Sequence, residues 1–435
     1  MFNQAPKMVS TQDLNHIFTS RFPAVLVPEN VTLPEFVLEN AEKYTHNVAF
    51  VDAVTGKQVT YGDVVRDTGR FSKALRSLGI RKGHVVIVVL PNIVEYGVVA
   101  LGIMGAGGVF SGANPNSHPD EIAKQVEVSR AKLIVACVAG YEKVRGLCVP
   151  IITVDEEEIE DTMNWKKLLE AADRAGAMPH VEDIHQNDLC ALPFSSGTTG
   201  MPKGVMLTHG NLVANLCSTL FNVGPEMVGR VTTLGLVPFF HIYGITGICC
   251  ATMRNKGKVV VMGRFELRAF LNALIVHEIT FAPIVPPVIL QLVKNPIVEE
   301  FDLGTIKLEA IMTAAAPLAP ELLKAFENKF PGVQVQEHMI LVTQPEKPCP
   351  KPIMPYPKLP KTDQPYSINK RANITKEEPA PEATEFVEFE TIVAAQYGFW
   401  CLSCSAQDPL SERSSKYCCL QISRSAPGGK SGKRS

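Results

Sequence analysis

Several features are scarce or missing in this sequence, and each absence removes a class of function. There is no basic excess: 42 Lys and Arg stand against 44 Asp and Glu, a formal charge of −2. Such a chain lacks the positive field that steers proteins to nucleic acid and other polyanions. The opening residues, MFNQAPKMVSTQDLNH, hold no apolar core of the kind a secretory leader needs. The 11 cysteines, among them Cys137, Cys148, Cys190, Cys217, Cys249 and Cys250, are scattered and do not form a disulfide framework. A reducing, cytoplasmic compartment is therefore expected. No internal repeat is visible, which excludes a solenoid. The chain closes on GKRS and not on a peroxisomal tripeptide.

Long apolar runs are few as well. Tyr96–Asn114 and Thr232–Met253 lack formal charges over about twenty positions, the length of a membrane span. The first carries six glycines and the second is interrupted by Pro238 and His241. Both read better as buried elements of a large α/β core, and no membrane span is expected.

What is present is a sizeable core: 46% of the 435 residues are hydrophobic and 20% are charged, enough for about two to three domains. Up to about Phe330, short β-branched runs alternate with amphipathic ones. HVVIVVLPN (84–92) reads as a buried strand followed by a turn, and strands are predicted likewise in AKLIVAC (131–137), PIITV (150–154), GKVVVM (257–262) and TFAPIV (280–285). Helices are predicted over 63–79, 118–129 and 321–330. Continuously apolar strands separated by helices imply an α/β fold of mainly parallel sheets, covered on both faces.

Inside GVQVQEHMILVTQPEKPCPKPIMPYPKLP (332–360) the character changes. Its first residues read as a strand after a helix. From Pro345 to Pro365 there are eight prolines in 21 residues, which excludes helix or central strand. Six glutamates follow between Glu377 and Glu390, and the last 25 residues carry six Lys or Arg against one Glu. This tail reads as mostly disordered. Its P-x-x-P repeats lack the flanking basic residue of an SH3 ligand. Cys401 and Cys404, with Cys418 and Cys419, lack zinc-site spacing, so no metal site is expected there.

The most specific motif is LPFSSGTTGMPKGVMLTH (192–209). The apolar run LCALPF reads as one strand feeding a loop of hydroxyls and glycines, then a lysine, then a second short strand. Gly197 and Gly200 free backbone N–H groups to line a concavity. Ser195, Ser196, Thr198 and Thr199 add donors, and Lys203 supplies positive charge, a set suited to phosphate. The pattern is not that of P-loop NTPases, because the lysine follows Met-Pro and precedes glycine.

SSGTTGMPKGVMLTH resembles the phosphate loop of the adenylate-forming synthetases. VPFFHIYG (237–244), APIVPPVILQLVKNP (282–296) and TAAAPLAPELLKAF (313–326) agree in order and spacing. Together they resemble the plant 4-coumarate–CoA ligase-like group, and ANLCSTLFNVGPEM and GICCATMRNKGKVVV are similar to its fatty acyl-CoA synthetase branch. The resemblance covers residues 30–337. It implies the large N-terminal domain of that fold over those residues, after an extension at 1–29 and before an unrelated tail at 338–435. It also implies activation of a carboxylic acid with ATP and Mg²⁺ to an acyl-adenylate, then transfer to CoA. The location implied is cytoplasmic, with the endoplasmic reticulum surface as an association site.

By resemblance, Ser195, Ser196, Gly197, Thr198, Thr199, Gly200 and Lys203 hold the ATP phosphates, and His241 meets the reacting carboxylate or adenylate phosphate. Tyr243, Gly247, Ala314 and Ala316 line the substrate side, Ala315 packs on the adenylate and Arg264 reaches CoA. Each has a plain alternative: His241 and Tyr243 as core residues, Arg264 as a solvated charge. Glycine at 247 leaves room for a long acyl chain. After Glu337 the family's Tyr-Gly-x-Thr-Glu segment, ribose-binding aspartate, hinge arginine and C-terminal lysine are not found. The resemblance then implies that the β-barrel subdomain and the lid domain are missing. Two readings follow: an acyl-CoA synthetase with an impaired site, or a non-catalytic fragment that binds ligand or a parent subunit.

Overall fold

The computed structural model describes residues 24–174, 183–195, 203–221, 223–314, 316 and 318–337. The tail expectations, including the P-x-x-P and Cys401–Cys419 readings, fall on 338–435, outside the described residues, as do positions 1–23.

Two seven-stranded sheets dominate. The first has the order Gln334–Glu337, Ala310–Thr313, Phe281–Ile284, Thr232–Gly235, Lys258–Val261, Val48–Asp52, Gln58–Thr60. All its pairings are parallel except the last. The second has the order Leu207–Thr208, Leu189–Ala191, Val109–Gly112, Val85–Val89, Leu133–Ala136, Ile151–Thr153, Met163–Asn164. It too is parallel apart from its first pair. Each strand predicted from an apolar run lies within one of these sheets.

The apolar runs are continuous because both faces of each strand are buried. Val86 and Val88 point into a central core shared with Phe50, Val259 and Phe281 of the first sheet. Val85, Ile87 and Val89 point the other way, against Ile122, Val126 and Val144. In the first sheet Val259 and Val261 face the central core, while Val260 and Met262 pack on Leu271, Leu274 and Ile289. Helices thus lie outside each sheet and between them, and the core is divided into three.

The predicted helices form over Tyr61–Ser77, Pro119–Ser129 and Pro320–Lys329. The first begins where Thr60 Oγ1 accepts the Asp63 N–H and the Asp63 carboxylate accepts the Thr60 N–H, a reciprocal cap. Proline opens the other two, where its missing N–H costs nothing. The two chargeless runs resolve into shorter elements. Tyr96–Asn114 becomes a buried helix, Tyr96–Gly105, and a strand, with the Gly102 carbonyl accepting Ser72 Oγ at 2.8 Å. Thr232–Met253 becomes a strand, a seven-residue π-helix (Gly244–Cys250) and a short α-helix. Among the described residues no helix is long and apolar enough to cross a membrane.

One local expectation differs. LCALPF is not one strand: Leu189–Ala191 belongs to the second sheet, and Phe194–Ser195 leaves it to form a hairpin with Lys203–Gly204. Pro193 lies at the break; it has no N–H to donate to a ladder, and its carbonyl accepts the Val205 N–H at 2.9 Å.

Candidate functional site

Parallel strands leave their carboxyl ends on one rim of a sheet, and ligands of open α/β sheets bind outside such rims. His241, Arg264, Ala314 and Ala316 all follow C-terminal ends of first-sheet strands. The phosphate-loop hairpin comes from the second sheet. The strand Val109–Gly112 joins the two regions.

That strand holds the root of the hairpin on one side. The Leu192 N–H donates to Phe110 O at 2.8 Å, and Ser111 Oγ donates to Leu192 O at 2.6 Å. Gln125 Nε2 braces it from the helix Pro119–Ser129, reaching Ser111 Oγ and Gly112 O, each at 3.1 Å. On the other side Gly112 meets the His241 segment so closely that a Cβ there would lie 2.3 Å from Phe240 O. The pairing Lys203↔Ser195 closes the hairpin and sets the stem of the loop, with Lys203 half-buried. Ser196, Gly197, Thr198, Thr199, Gly200 and Ala315 lie outside the described residues.

His241 sits in the passage from strand Thr232–Gly235 to the π-helix. The residue is exposed, and its Nδ1 accepts the Tyr243 N–H at 3.2 Å. That bond assigns the neutral tautomer with the proton on Nε2. The protein displaces enough water around the ring to lower its pKa from the usual value, so the neutral form dominates near pH 7. The imidazole is therefore a neutral donor with Nε2 free of its own backbone. Gly244 makes this turn possible, since a Cβ there would lie 2.1 Å from Pro238 O.

Tyr243 is buried (6% exposed) and its hydroxyl donates to Met312 Sδ at 3.5 Å. Burial pushes the phenol pKa up, so it stays neutral. Gly247 lies inside the π-helix, a rare geometry that recurs at functional sites. Met312 and Gln336 are register partners on neighbouring strands, so Gln336 shares the face that Tyr243 packs against. Ala314 is half-buried and Ala316 exposed, on the loop after Thr313. Glu337 Oε1 accepts the Leu318 N–H at 3.0 Å and ties the far end of that loop to the last strand. Arg264 is exposed on the rim beyond Lys258–Val261. It lies within electrostatic range of Glu266, whose carboxyl is lowered chiefly by the Ala269 and Arg268 N–H groups.

His241, Arg264, Ala314 and Ala316 thus follow the carboxyl ends of first-sheet strands, and the strand Val109–Gly112 touches both the root of the Lys203 hairpin and the His241 segment. Sequence reasoning missed the residues that hold them there: Asn92, Gly112, Gln125 and Glu337. Only Asn92, at the close of LPN after a strand, had a local signal, and that signal read simply as a turn. Among the described residues no group of three or more His, Cys, Asp or Glu could hold a metal ion.

Residues 37–339 match the model of the family described as AMP-binding enzyme. The 4-coumarate–CoA ligase-like 1 protein of Arabidopsis thaliana is 67% identical over 326 residues, covering 75% of this chain and 60% of that one. The 4-coumarate–CoA ligase-like 9 protein of Oryza sativa subsp. japonica is 60% identical over 333 residues, covering 76% and 60%. The chain thus spans 60% of the length of these curated relatives. Among solved structures, the anthranilate CoA ligase AuaEII in complex with anthranoyl-AMP superposes with a TM-score of 0.63 at 20% identity, covering 72% of this chain and 60% of that one. The last likeness is one of fold.

Proposed function

The chain belongs to the AMP-binding enzyme family, and from that premise we propose that residues 30–337 are the acid-activating part of an ATP-dependent acyl-CoA synthetase. The substrate class we infer is a medium- or long-chain fatty acid. The observation that carries this reading is the double grip of the strand Val109–Gly112, which holds the Lys203 hairpin and the His241 segment side by side.

The chemistry asks for two anions to be brought together: a carboxylate must approach the α-phosphate of ATP and displace pyrophosphate. Fixed donors at the developing charge supply most of what a protein can offer such a step. In this reading Lys203 takes the phosphate side. In this reading His241 Nε2–H donates to the carboxylate or the adenylate phosphate. Because the ring is neutral, it stabilises charge by hydrogen bonding and gives up no proton. Mg²⁺ bound with the nucleotide would neutralise phosphate charge.

The acyl side is apolar. Tyr243 meets Met312 through its hydroxyl, and Gly247 lies buried in the uncharged π-helix that follows; in this reading the absent side chain at 247 makes room for the acyl chain. That favours an aliphatic chain over a phenol. Ala314 and Ala316 would border the carboxylate, Ala315 the adenylate, and Arg264 the entry of CoA at the outer rim.

The residues after Glu337 do not carry the motifs that would contact adenylate, ribose and metal. Losing one donor of this kind costs about 3 kcal/mol. We therefore propose that this form binds acid and nucleotide but makes acyl-CoA poorly or not at all. The test is pyrophosphate release with ATP, Mg²⁺, fatty acids and 4-coumarate, run beside the same chain continued after Glu337 by a family-type C-terminal half. Release by the continued chain alone is expected, with ligands raising the melting temperature of both. Release by both overturns the impairment; release by neither overturns the synthetase reading.

A further inference from the structure

The segment between Gly235, the last residue of its strand, and Gly244, the first of the π-helix, belongs to no ladder. Its backbone groups need partners from elsewhere. One side chain supplies several of them. Asn92, buried on the turn after the second-sheet strand Val85–Val89, reaches across to the first sheet. Its Nδ2 donates to Gly235 O and to Val237 O, each at 3.0 Å, with longer approaches to Leu236 O (3.3 Å) and Met262 O (3.5 Å). Its Oδ1 accepts the Phe239 N–H at 2.8 Å.

This pattern needs two donors and an acceptor on one short planar group, which a carboxamide provides and a carboxylate or hydroxyl does not. It pins both ends of the stretch 235–239. Two residues further on stands His241, whose own N–H turns back to Pro238 O at 3.2 Å. The imidazole is thus two residues from a clamp that belongs to the opposite sheet, the sheet that also carries the phosphate-loop hairpin.

We propose that Asn92 is the positioning residue for His241, setting where its imidazole stands relative to the Lys203 hairpin; this rests on the role given to His241 above. Asn92 touches no substrate. It converts the spacing between the two sheets into the spacing between the two halves of the site. Asp at this position sets a carboxylate against the Gly235 and Val237 carbonyls, and Ser cannot span the segment.

The test is a double-mutant cycle on the full chain, using a non-reacting acyl-sulfamoyl adenosine with a medium-length acyl chain and calorimetry. The proteins are the wild type, Asn92→Ser, Asn92→Asp, His241→Ala and the two double variants. Asn92→Ser should weaken the analogue about tenfold when His241 is present and less than about twofold in the His241→Ala background, the coupling expected of residues in one network. Equal losses in both backgrounds show a purely structural role and overturn the proposal, as does no loss at all. The imidazole ¹⁵N shifts give an independent readout. In the wild type the proton sits on Nε2; in Asn92→Ser or Asn92→Asp the two tautomers should mix. Unchanged shifts overturn the link even if the variants bind weakly through lost stability. If the wild type fails to bind the analogue, the acid-activation reading falls, and the shifts still decide whether Asn92 orients His241.

Discussion

Lowering the pH should destabilise this protein through one buried histidine. His209 opens the helix His209–Thr219 and is fully buried. Its Nδ1 accepts the Leu33 N–H at 3.0 Å, which ties the N-terminal helix Leu33–Leu38 to the hairpin side of the molecule. Its Nε2 is buried without a partner among the described residues. A second proton would have to enter on Nδ1, turning the acceptor into a donor that faces another donor. Desolvation accordingly lowers the pKa from 6.5 to about 4, against the opposing pull of Asp188 and Glu35. The unfolded chain binds this proton first as pH falls. The stability contribution is therefore complete above about pH 6.5 and drains away towards pH 4. With 1.36 kcal/mol per pKa unit, linkage gives a loss of about 2.5 kcal/mol between pH 7.5 and 4.5. That is a large share of a typical folding free energy of about 5–15 kcal/mol. Urea denaturation at several pH values, compared between wild type and His209→Gln, isolates it, because carboxylate contributions appear in both. The gap between the two proteins should close by about 2.5 kcal/mol over that range. Parallel pH profiles would falsify the assignment of a depressed pKa to His209.

Three further outcomes are expected. Gly112→Ala should destabilise by about 1–3 kcal/mol and move the His241 segment, since its Cβ would meet backbone and not a yielding side chain; thermal melts and the His241 imidazole shifts check both. Tyr61→Phe should cost about 1–2 kcal/mol, because the buried hydroxyl donates to Gly257 O at 2.7 Å and that carbonyl would lose its partner; a urea midpoint shift without a change in slope is the readout. Gly247→Val should abolish the fatty-acid-dependent rise in melting temperature while leaving that due to ATP, as befits an acyl-pocket residue, and an unchanged fatty-acid response would remove Gly247 from the pocket.

Much of the fold was legible in the sequence because burial on both faces writes strands as unbroken β-branched runs. VVIVV and KVVV carry that signal wherever the sheets end up. The helix starts at Thr60, Pro119 and Pro320 also carry local cap and proline signals, which the sequence reading did not use. The break at Pro193 was missed because a run of apolar residues looks alike whether one sheet or two receive it. The π-helix was missed because GITGICC has the apolar content of any buried helix, and its wider hydrogen-bond pattern leaves no periodic trace.

The sequence alone determined the chemistry on offer: a hydroxyl- and glycine-rich loop closed by Lys203, a histidine after two phenylalanines, a nearly balanced overall charge of −2, and the change of character after Glu337. Those are properties of residue types and their order. Only the tertiary structure decided which of them meet. The Lys203 hairpin and the His241 segment are tied to the same strand because Gly112 admits the Phe240 backbone and Ser111 holds Leu192, while Asn92 reaches from one sheet to the other. It also decided that the neutral, inaccessible histidine is His209, while His241 stands open to a ligand. Hydrogen bonds over more than eighty positions, such as Ser111 to Leu192 and Asn92 to Phe239, obey distance in space and leave no mark in local sequence.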